Sequence, residues 1–376
     1  MQVLTYNTKL QFKSQEDKDK LLRTLELERD IFNFCSKKHF GAKKNSIVDL
    51  HAKCYYPARE QFPQAKAQLI IKAQKSCLSA YKSIKTNKHK ISKPIRKCKL
   101  STDYDNKMFL YKDGIFSLTV LGTGRIQAYP ILYDKIKEIS LYAKLCDPKI
   151  FVRGDDIYIS MIFKFEVPAV PSKLALGVDL GIRRFAATSE GNIFQDKKFL
   201  KEKRKLRYLK SQLKSKGTKT AKKHLKQLRR KEANRNRNFN HHLANAILKT
   251  KADTIVLEDI NVNKLKGKKH RYQNKNRISQ VAFAAVKDML TYKANLQRKQ
   301  VITVNPAFTS QDDSVTGKRD GIRKGCRYYA KSGLVYDADV NAAVNIARKA
   351  NLPISQSNLL DGQATVNRPL GSQCGN

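Results

Sequence analysis

The sequence predicts an α/β plus β fold: an antiparallel β unit interrupted by helices, followed by an α/β unit whose sheet is largely buried. Three observations predict it. Between about 105 and 168, short β-branched and aromatic runs (MFLY, IFSLTV, IQAYPIL, KIFVRG, DIYISMIFKFEV) alternate with Gly, Asp and Pro turns. From 174 onward, near-continuous apolar strands alternate with helical stretches, as in a sheet covered on both faces. The Pro-containing stretch Val167–Lys173 separates the two textures.

Residues 1–12 read as a strand. Ser14, with Asp17 three positions later, resembles a capping box opening a helix that carries Leu21, Leu22, Leu25, Ile31 and Phe32. Helical spacing continues through Ser46–Glu60 and Pro63–Ile84, where Leu69, Ile70, Ala73, Cys77, Leu78 and Tyr81 recur, until the basic linker Lys85–Lys99. The strands that follow include a hairpin tip at Gly154-Asp155-Asp156 and form an antiparallel sheet or small barrel, with the helices inserted after its first strand. In the second unit, strands are expected at Leu174–Leu180, Phe185–Ser189, Thr254–Ile260 and Val301–Asn305, with helices over a long basic segment, over 279–299 and from about Asp339. The polar tail beyond Pro353 is expected to be disordered.

Charge narrows the function. The chain has 376 residues, with 76 Lys and Arg against 32 Asp and Glu, a net charge of +44 that points to a polyanionic partner. No run of about 18 apolar residues would span a membrane, and the first residues lack a signal peptide's apolar region, so a cytoplasmic protein is expected. The seven cysteines never occur at C-x-x-C spacing, which argues against a disulfide framework or a thiolate zinc site.

Three acids stand where apolar strands end or a helix begins: Asp179 in ALGVDLG, Glu258 in TIVLEDI and Asp339 in VYDADVNAAVNIA. A carboxylate in such a setting costs several kcal/mol unless it is paired or binds a cation. Singly, each has a plain structural role available: a turn residue beside Gly181, a partner for one of many cations, a helix cap. Together they suit two Mg²⁺ ions, with Mn²⁺ as a substitute, as used in phosphodiester cleavage.

These residues also carry a resemblance. GVDLGIRRFAATSEG, IVLEDI and DADVNAAVNIARKA resemble the three motifs of an RNase H-like (RuvC) nuclease domain, and NPAFTSQ at Asn305–Gln311 is a further signature of the TnpB family, transposon-encoded relatives of type V CRISPR nucleases. The resemblance is specific over roughly 171–350. It implies Asp179, Glu258 and Asp339 as catalytic, metal-binding acids, with Asp337 and Asp259 as supporting neighbours. It further implies a wedge-like β-barrel domain at 1–13 and 95–170, a helical recognition insertion at 14–94 and a RuvC-like domain at 171–352, followed by the tail 353–376. The activity implied is an RNA-guided, Mg²⁺-dependent DNA endonuclease, bacterial or archaeal and nucleoid-associated. Its partners would be a guide RNA from the transposon end and double-stranded target DNA, with no obligate protein partner evident. A nuclease-silent RNA-guided binder or repressor, and a protein acting in DNA transposition without RNA, are the alternatives.

One feature departs from the family. The four positions of its zinc ribbon fall on Asp313, Thr316, Tyr329 and Ser332, so no zinc is expected, and segment 306–335 is read as a metal-free knuckle packed by Tyr328 or Tyr329 and rich in Lys318, Arg319, Arg323, Lys324 and Arg327.

Between Lys197 and Lys249 there are 20 Lys or Arg and two acids, on what read as two helices hinged at Ser215–Thr218. Nucleic-acid contacts are expected at Lys203, Arg204, Arg207, Lys210, Arg229 and Arg230. A second cluster, Lys264–Arg277, adds Lys268, Lys269, Arg271 and Tyr272 as contacts from a loop beside Glu258. His241 and His242 are expected to be structural or RNA-contacting, and His270 a weak candidate for a base.

Overall fold

A computed structural model describes residues 1–42, 45–87, 93–122, 124–168, 171–260, 283–355 and 366–367. The chain divides into two compact units, Met1–Glu166 and Val167–Asn376.

The first unit opens with strand β1 (Gln2–Phe12), then three helices, α1 (Gln15–His39), α2 (Ile47–Gln61) and α3 (Ala67–Thr86). The Ser14 hydroxyl accepts from the Asp17 amide at 3.1 Å, capping α1 as the sequence signal requires. Leu21, Leu25, Ile31, Phe32 and Cys35 of α1 pack with Leu50 and Cys54 of α2 and Leu69, Ile70, Ala73 and Cys77 of α3 in a buried helical core. Seven further strands follow: β2 (Ser101–Asp103), β3 (Phe109–Lys112), β4 (Ile115–Thr119), β5 (Arg125–Pro130), β6 (Lys144–Leu145), β7 (Lys149–Arg153) and β8 (Asp156–Phe165), with the short helix α4 (Asp134–Ser140) between β5 and β6.

These strands run β2-β7-β8-β1-β5-β4-β3, with β6 on β8, every pair antiparallel. The long β1 joins the two halves, its residues 2–9 pairing with β8 and 10–12 with β5. The expected closed barrel is corrected here. Among the described residues the end strands β2 and β3 do not pair, and the stretch between them is held by Tyr104 N donating to Pro148 O at 2.9 Å and Met108 N to Asp105 O at 2.8 Å. The buried Tyr104 ring sits in that stretch and donates its hydroxyl to Thr119 O at 3.0 Å.

In the second unit the sheet is β13-β12-β9-β10-β11-β17: β9 (Ala175–Asp179), β10 (Ala186–Thr188), β11 (Ile193–Phe194), β12 (Thr254–Glu258), β13 (Gln300–Val304) and β17 (Val366–Asn367). β9, β12 and β13 are parallel, while β10 is antiparallel to both its neighbours. The helices are α5 (Lys197–Lys216), α6 (Lys219–Ile247), α7 (Phe283–Leu296) and α8 (Ala338–Arg348). The expected hinge is real, since Gly217 takes φ 63° and ends α5 in the left-handed conformation that glycine tolerates best.

Side chains alternate across β9. Leu176 and Val178 pack with Leu243 and Ile247 of α6 and Leu290 of α7, while Ala175 packs with Val256 and Ile346 on the opposite face, where α8 lies. Gly177 permits the close approach of α8, since a Cβ there would sit 1.9 Å from Ala343 O. A third sheet, β14 (Ile322–Lys324), β15 (Arg327–Tyr329) and β16 (Val335–Asp337), leads directly into α8.

The expected disordered tail is corrected at its start. Ala175 N donates to Pro353 O and Ser355 N to Ala175 O, both at 2.8 Å, because β9 has an open backbone edge there that the chain after α8 reaches. β17 also lies in that segment, pairing with β11. The remainder of the tail lies outside the described residues. No described helix is long and apolar enough to cross a membrane.

Candidate metal centre

Parity and register bring the acids together. Asp179 follows Ala175 and Gly177 by steps of two, so it shares their face, under α8. β12 runs parallel to β9 with Val256 beside Gly177 and Leu257 beside Val178, so Glu258 emerges next to Asp179 and on the same face as Val256. Asp339 lies in the first turn of α8, which packs on that face.

Asp337, not Asp339, caps the helix. Its Oδ1 accepts from the amides of Asp339 at 2.9 Å and Val340 at 3.2 Å, which leaves the Asp339 carboxylate for other partners. Those partners are two arginines. Arg323 Nη2 lies 2.6 Å from Asp339 Oδ1, and Arg184 Nη1 lies 3.2 Å from Asp339 Oδ2 and 2.5 Å from Asp337 Oδ2. Glu258 accepts from the Thr309 hydroxyl. Burial pushes Asp179 up to about 7, helped by the negative charges of Glu258, Asp339 and Asp337 and opposed by Arg323. Burial also raises Glu258, against the Thr309 hydrogen bond and the Lys349 ammonium.

The site therefore concentrates negative charge in a poorly solvated place, which is what a small divalent cation relieves. Its donors are carboxylate oxygens without thiolate or imidazole, a set that fits Mg²⁺ or Mn²⁺ rather than Zn²⁺. Among the described residues no three such side chains are already drawn together closely enough to hold an ion, and Asp339 and Glu258 have protein partners instead, Arg323 and Thr309.

Sequence reasoning missed Arg184, Arg323 and Thr309, whose partners lie 155, 16 and 51 positions away along the chain. Of these, Thr309 could have been singled out as part of NPAFTSQ. Asp259 stands apart, 73 % exposed, with Lys287 Nζ at 3.8 Å.

The knuckle is organised by tyrosines. Tyr328 is buried and stacks on Tyr336 at 5.5 Å between centroids, whereas Tyr329 faces outward. Tyr336 donates its hydroxyl to the buried Asp313, one of the four former ligand positions, and Tyr328 donates to Gln311 O at 2.9 Å.

The expected basic contacts of α5 and α6 differ in their surroundings. Lys210 forms an ion pair with Glu232 at 2.5 Å and Lys203 lies half-buried with Nζ 5.2 Å from the Phe199 ring centroid, because both face the α5–α6 seam. Arg204, Arg207, Arg229 and Arg230 are exposed. Lys268, Lys269, His270, Arg271 and Tyr272 lie outside the described residues. His241 is structural, with Nδ1 3.3 Å from the Tyr292 hydroxyl, and His242 is exposed on α6.

Two family models match this chain. Residues 156–269 match the family described as "Probable transposase" (OrfB of IS605) and residues 283–346 match "Cas12f1-like, TNB domain". The curated protein InsQ of Escherichia coli (strain K12), provisionally named an RNA-guided DNA endonuclease, is 29 % identical over 213 residues, which are 50 % of this chain and 52 % of InsQ. Over these segments the chain is similar to the TnpB family. The match spans about half the length of InsQ. The fold of this chain is similar to that of the protein in a Cas12f1–sgRNA–target DNA complex, with TM-score 0.55 and 15 % identity over 89 % of this chain and 83 % of that one. It is also similar to the mini RNA-guided endonuclease Cas_phi3, with TM-score 0.50 and 13 % identity over 94 % of each chain.

Proposed function

We propose that the chain is a transposon-encoded, RNA-guided DNA endonuclease with an RNase H-like (RuvC) site at Asp179, Glu258 and Asp339. The observation that carries this reading is the placement of Asp179 and Glu258 on one sheet face, with Asp339 in the first turn of the helix packed on that face, and Asp179 raised first by burial and then by the charges of Glu258 and Asp339. The family matches support it.

Asp179, Glu258 and Asp339 would hold the divalent ions, Mg²⁺ or Mn²⁺, which when bound would activate the attacking water and stabilise the leaving oxygen of a phosphodiester. The chain's own residues do the rest. Asp179, raised by burial, would serve as a ligand in its ionised form, which a nearby dication would favour. Arg323, 36 % exposed and on a short strand, supplies positive charge at the mouth of the acidic cluster. Arg184 keeps Asp337 in its capping position. The exposed arginines of α5 and α6 bind the phosphate backbones of guide RNA and target DNA without reading sequence. The knuckle holds through Asp313, Tyr328 and Tyr336 without zinc.

The test is to purify the chain with its co-expressed RNA and challenge it with matched DNA and Mg²⁺. The expected result is that wild type cuts, while Asp179→Ala loses cleavage by at least about a hundredfold and retains RNA and DNA binding. A wild type that binds matched DNA and never cuts it, with either Mg²⁺ or Mn²⁺, would establish the nuclease-silent binder instead.

A further inference from the structure

Two asparagines of α8, Asn341 and Asn345, are buried and stand one turn apart on the same helix face. They serve the loop that carries Thr309. Asn345 Nδ2 donates to Thr309 O at 3.0 Å and to Asp312 O at 2.6 Å. Asn341 Nδ2 donates to Asp312 O at 2.8 Å, and its Oδ1 accepts from Ser314 N at 2.7 Å. A buried amide with several backbone partners fixes a loop far more tightly than apolar contact does, because each lost bond would strand a polar group away from water.

The consequence lies at the other end of Thr309. Thr309 is buried, 2 % exposed as a residue, and its hydroxyl donates to Glu258 Oε1, with Pro306 O at 3.1 Å. The helix whose first turn carries Asp339 thus holds, through Asn341 and Asn345, the loop whose threonine holds Glu258. We infer that Thr309, anchored by Asn341 and Asn345, is a positioning residue that sets Glu258 relative to Asp339 so that both can serve one divalent-ion site. The inference rests on the nuclease reading of these acids. Hydrogen-bond partners of metal ligands typically govern affinity by 10- to 100-fold.

Calorimetric titration of the full-length chain with Mn²⁺, without nucleic acid and well below the melting temperature, tests it. Thr309→Val keeps the volume and removes the donor, and should weaken Mn²⁺ binding by about 10- to 100-fold. Thr309→Ser keeps the hydroxyl and should bind as wild type does, a rescue that a merely structural threonine would not show. Asn345→Ala leaves Glu258 untouched and should also lose affinity. Wild-type Mn²⁺ affinity in either Thr309→Val or Asn345→Ala, while Asp179→Ala has lost it, would leave the nuclease reading standing and overturn the positioning role. A wild-type chain that takes up no Mn²⁺ would overturn both.

Discussion

Arg323 Nη2 sits 2.6 Å from Asp339 Oδ1, so an arginine of β14 holds a carboxylate at the start of α8. The guanidinium offsets part of the repulsion among Asp179, Asp337 and Asp339. Replacing Arg323 with Ala should lower the stability of the ion-free chain by on the order of 1 kcal/mol, since the arginine is partly exposed. Mg²⁺ should then raise the melting temperature more in this variant than in wild type. Equal Mg²⁺-induced shifts in the two proteins would count against a shared site.

A buried carboxylate far from these acids gives a pH signature. Glu28 is fully buried, and burial lifts it to about 7 despite Arg96 at 2.8 Å, whose guanidinium also lies 3.8 Å from the Phe32 ring centroid. A raised carboxylate keeps its proton longer when folded than when unfolded. Its contribution is therefore complete below about 4.5 and is lost as pH rises through about 7. Denaturant titrations across that range should show wild type losing up to about 3 kcal/mol relative to Glu28→Gln. Parallel curves for the two proteins would refute the assignment.

Gly177 is the point of closest approach between β9 and α8. An added Cβ would meet Ala343 O at 1.9 Å and Ala347 N at 2.7 Å, both backbone atoms that cannot rotate away. Gly177→Ala should cost about 3 kcal/mol or more and displace Asp339 with its helix. Circular dichroism melts would reveal the loss, and an unchanged midpoint would contradict the packing described.

The exposed arginines of α5 and α6 predict a salt dependence. Affinity for RNA should fall steeply with salt, and Arg229→Gln with Arg230→Gln should flatten the log–log slope by about 1.4 to 1.8. Filter binding across a salt series measures this directly. A slope unchanged by the double substitution would place the phosphate contacts elsewhere.

The knuckle predicts a chain independent of zinc. Elemental analysis should find it far below one equivalent, and Tyr336→Phe, which leaves the buried Asp313 carboxylate with the Val315 amide but without the tyrosine hydroxyl, should destabilise by about 1–2 kcal/mol. Stoichiometric zinc would show that other ligands have replaced the missing cysteines.

Much of this was legible in residue order. Strand texture, the cap at Ser14, the hinge at Gly217 and the unusual setting of Asp179, Glu258 and Asp339 are local patterns, and local patterns survive in a linear chain. What residue order left open was decided by distant partners. Lys210 reads as a free cation until Glu232 meets it across a helix seam, and Pro353–Ser355 read as a loose tail until the backbone of Ala175 pairs with them.

The sequence by itself determined which residues carry charge, which are apolar and at what period they recur, and so which elements form and which acids are costly to bury. Only the tertiary structure decided who stands beside those acids. Arg323, Arg184 and Thr309 come from separate segments, and although Thr309 lies in NPAFTSQ and Arg184 in GVDLGIRRFAATSEG, nothing in those runs says which acid each will meet. The physical reason is that a hydrogen bond or ion pair depends on position to within about 1 Å. That precision exists only after the sheet's register and the seat of α8 on Gly177 have been set by packing.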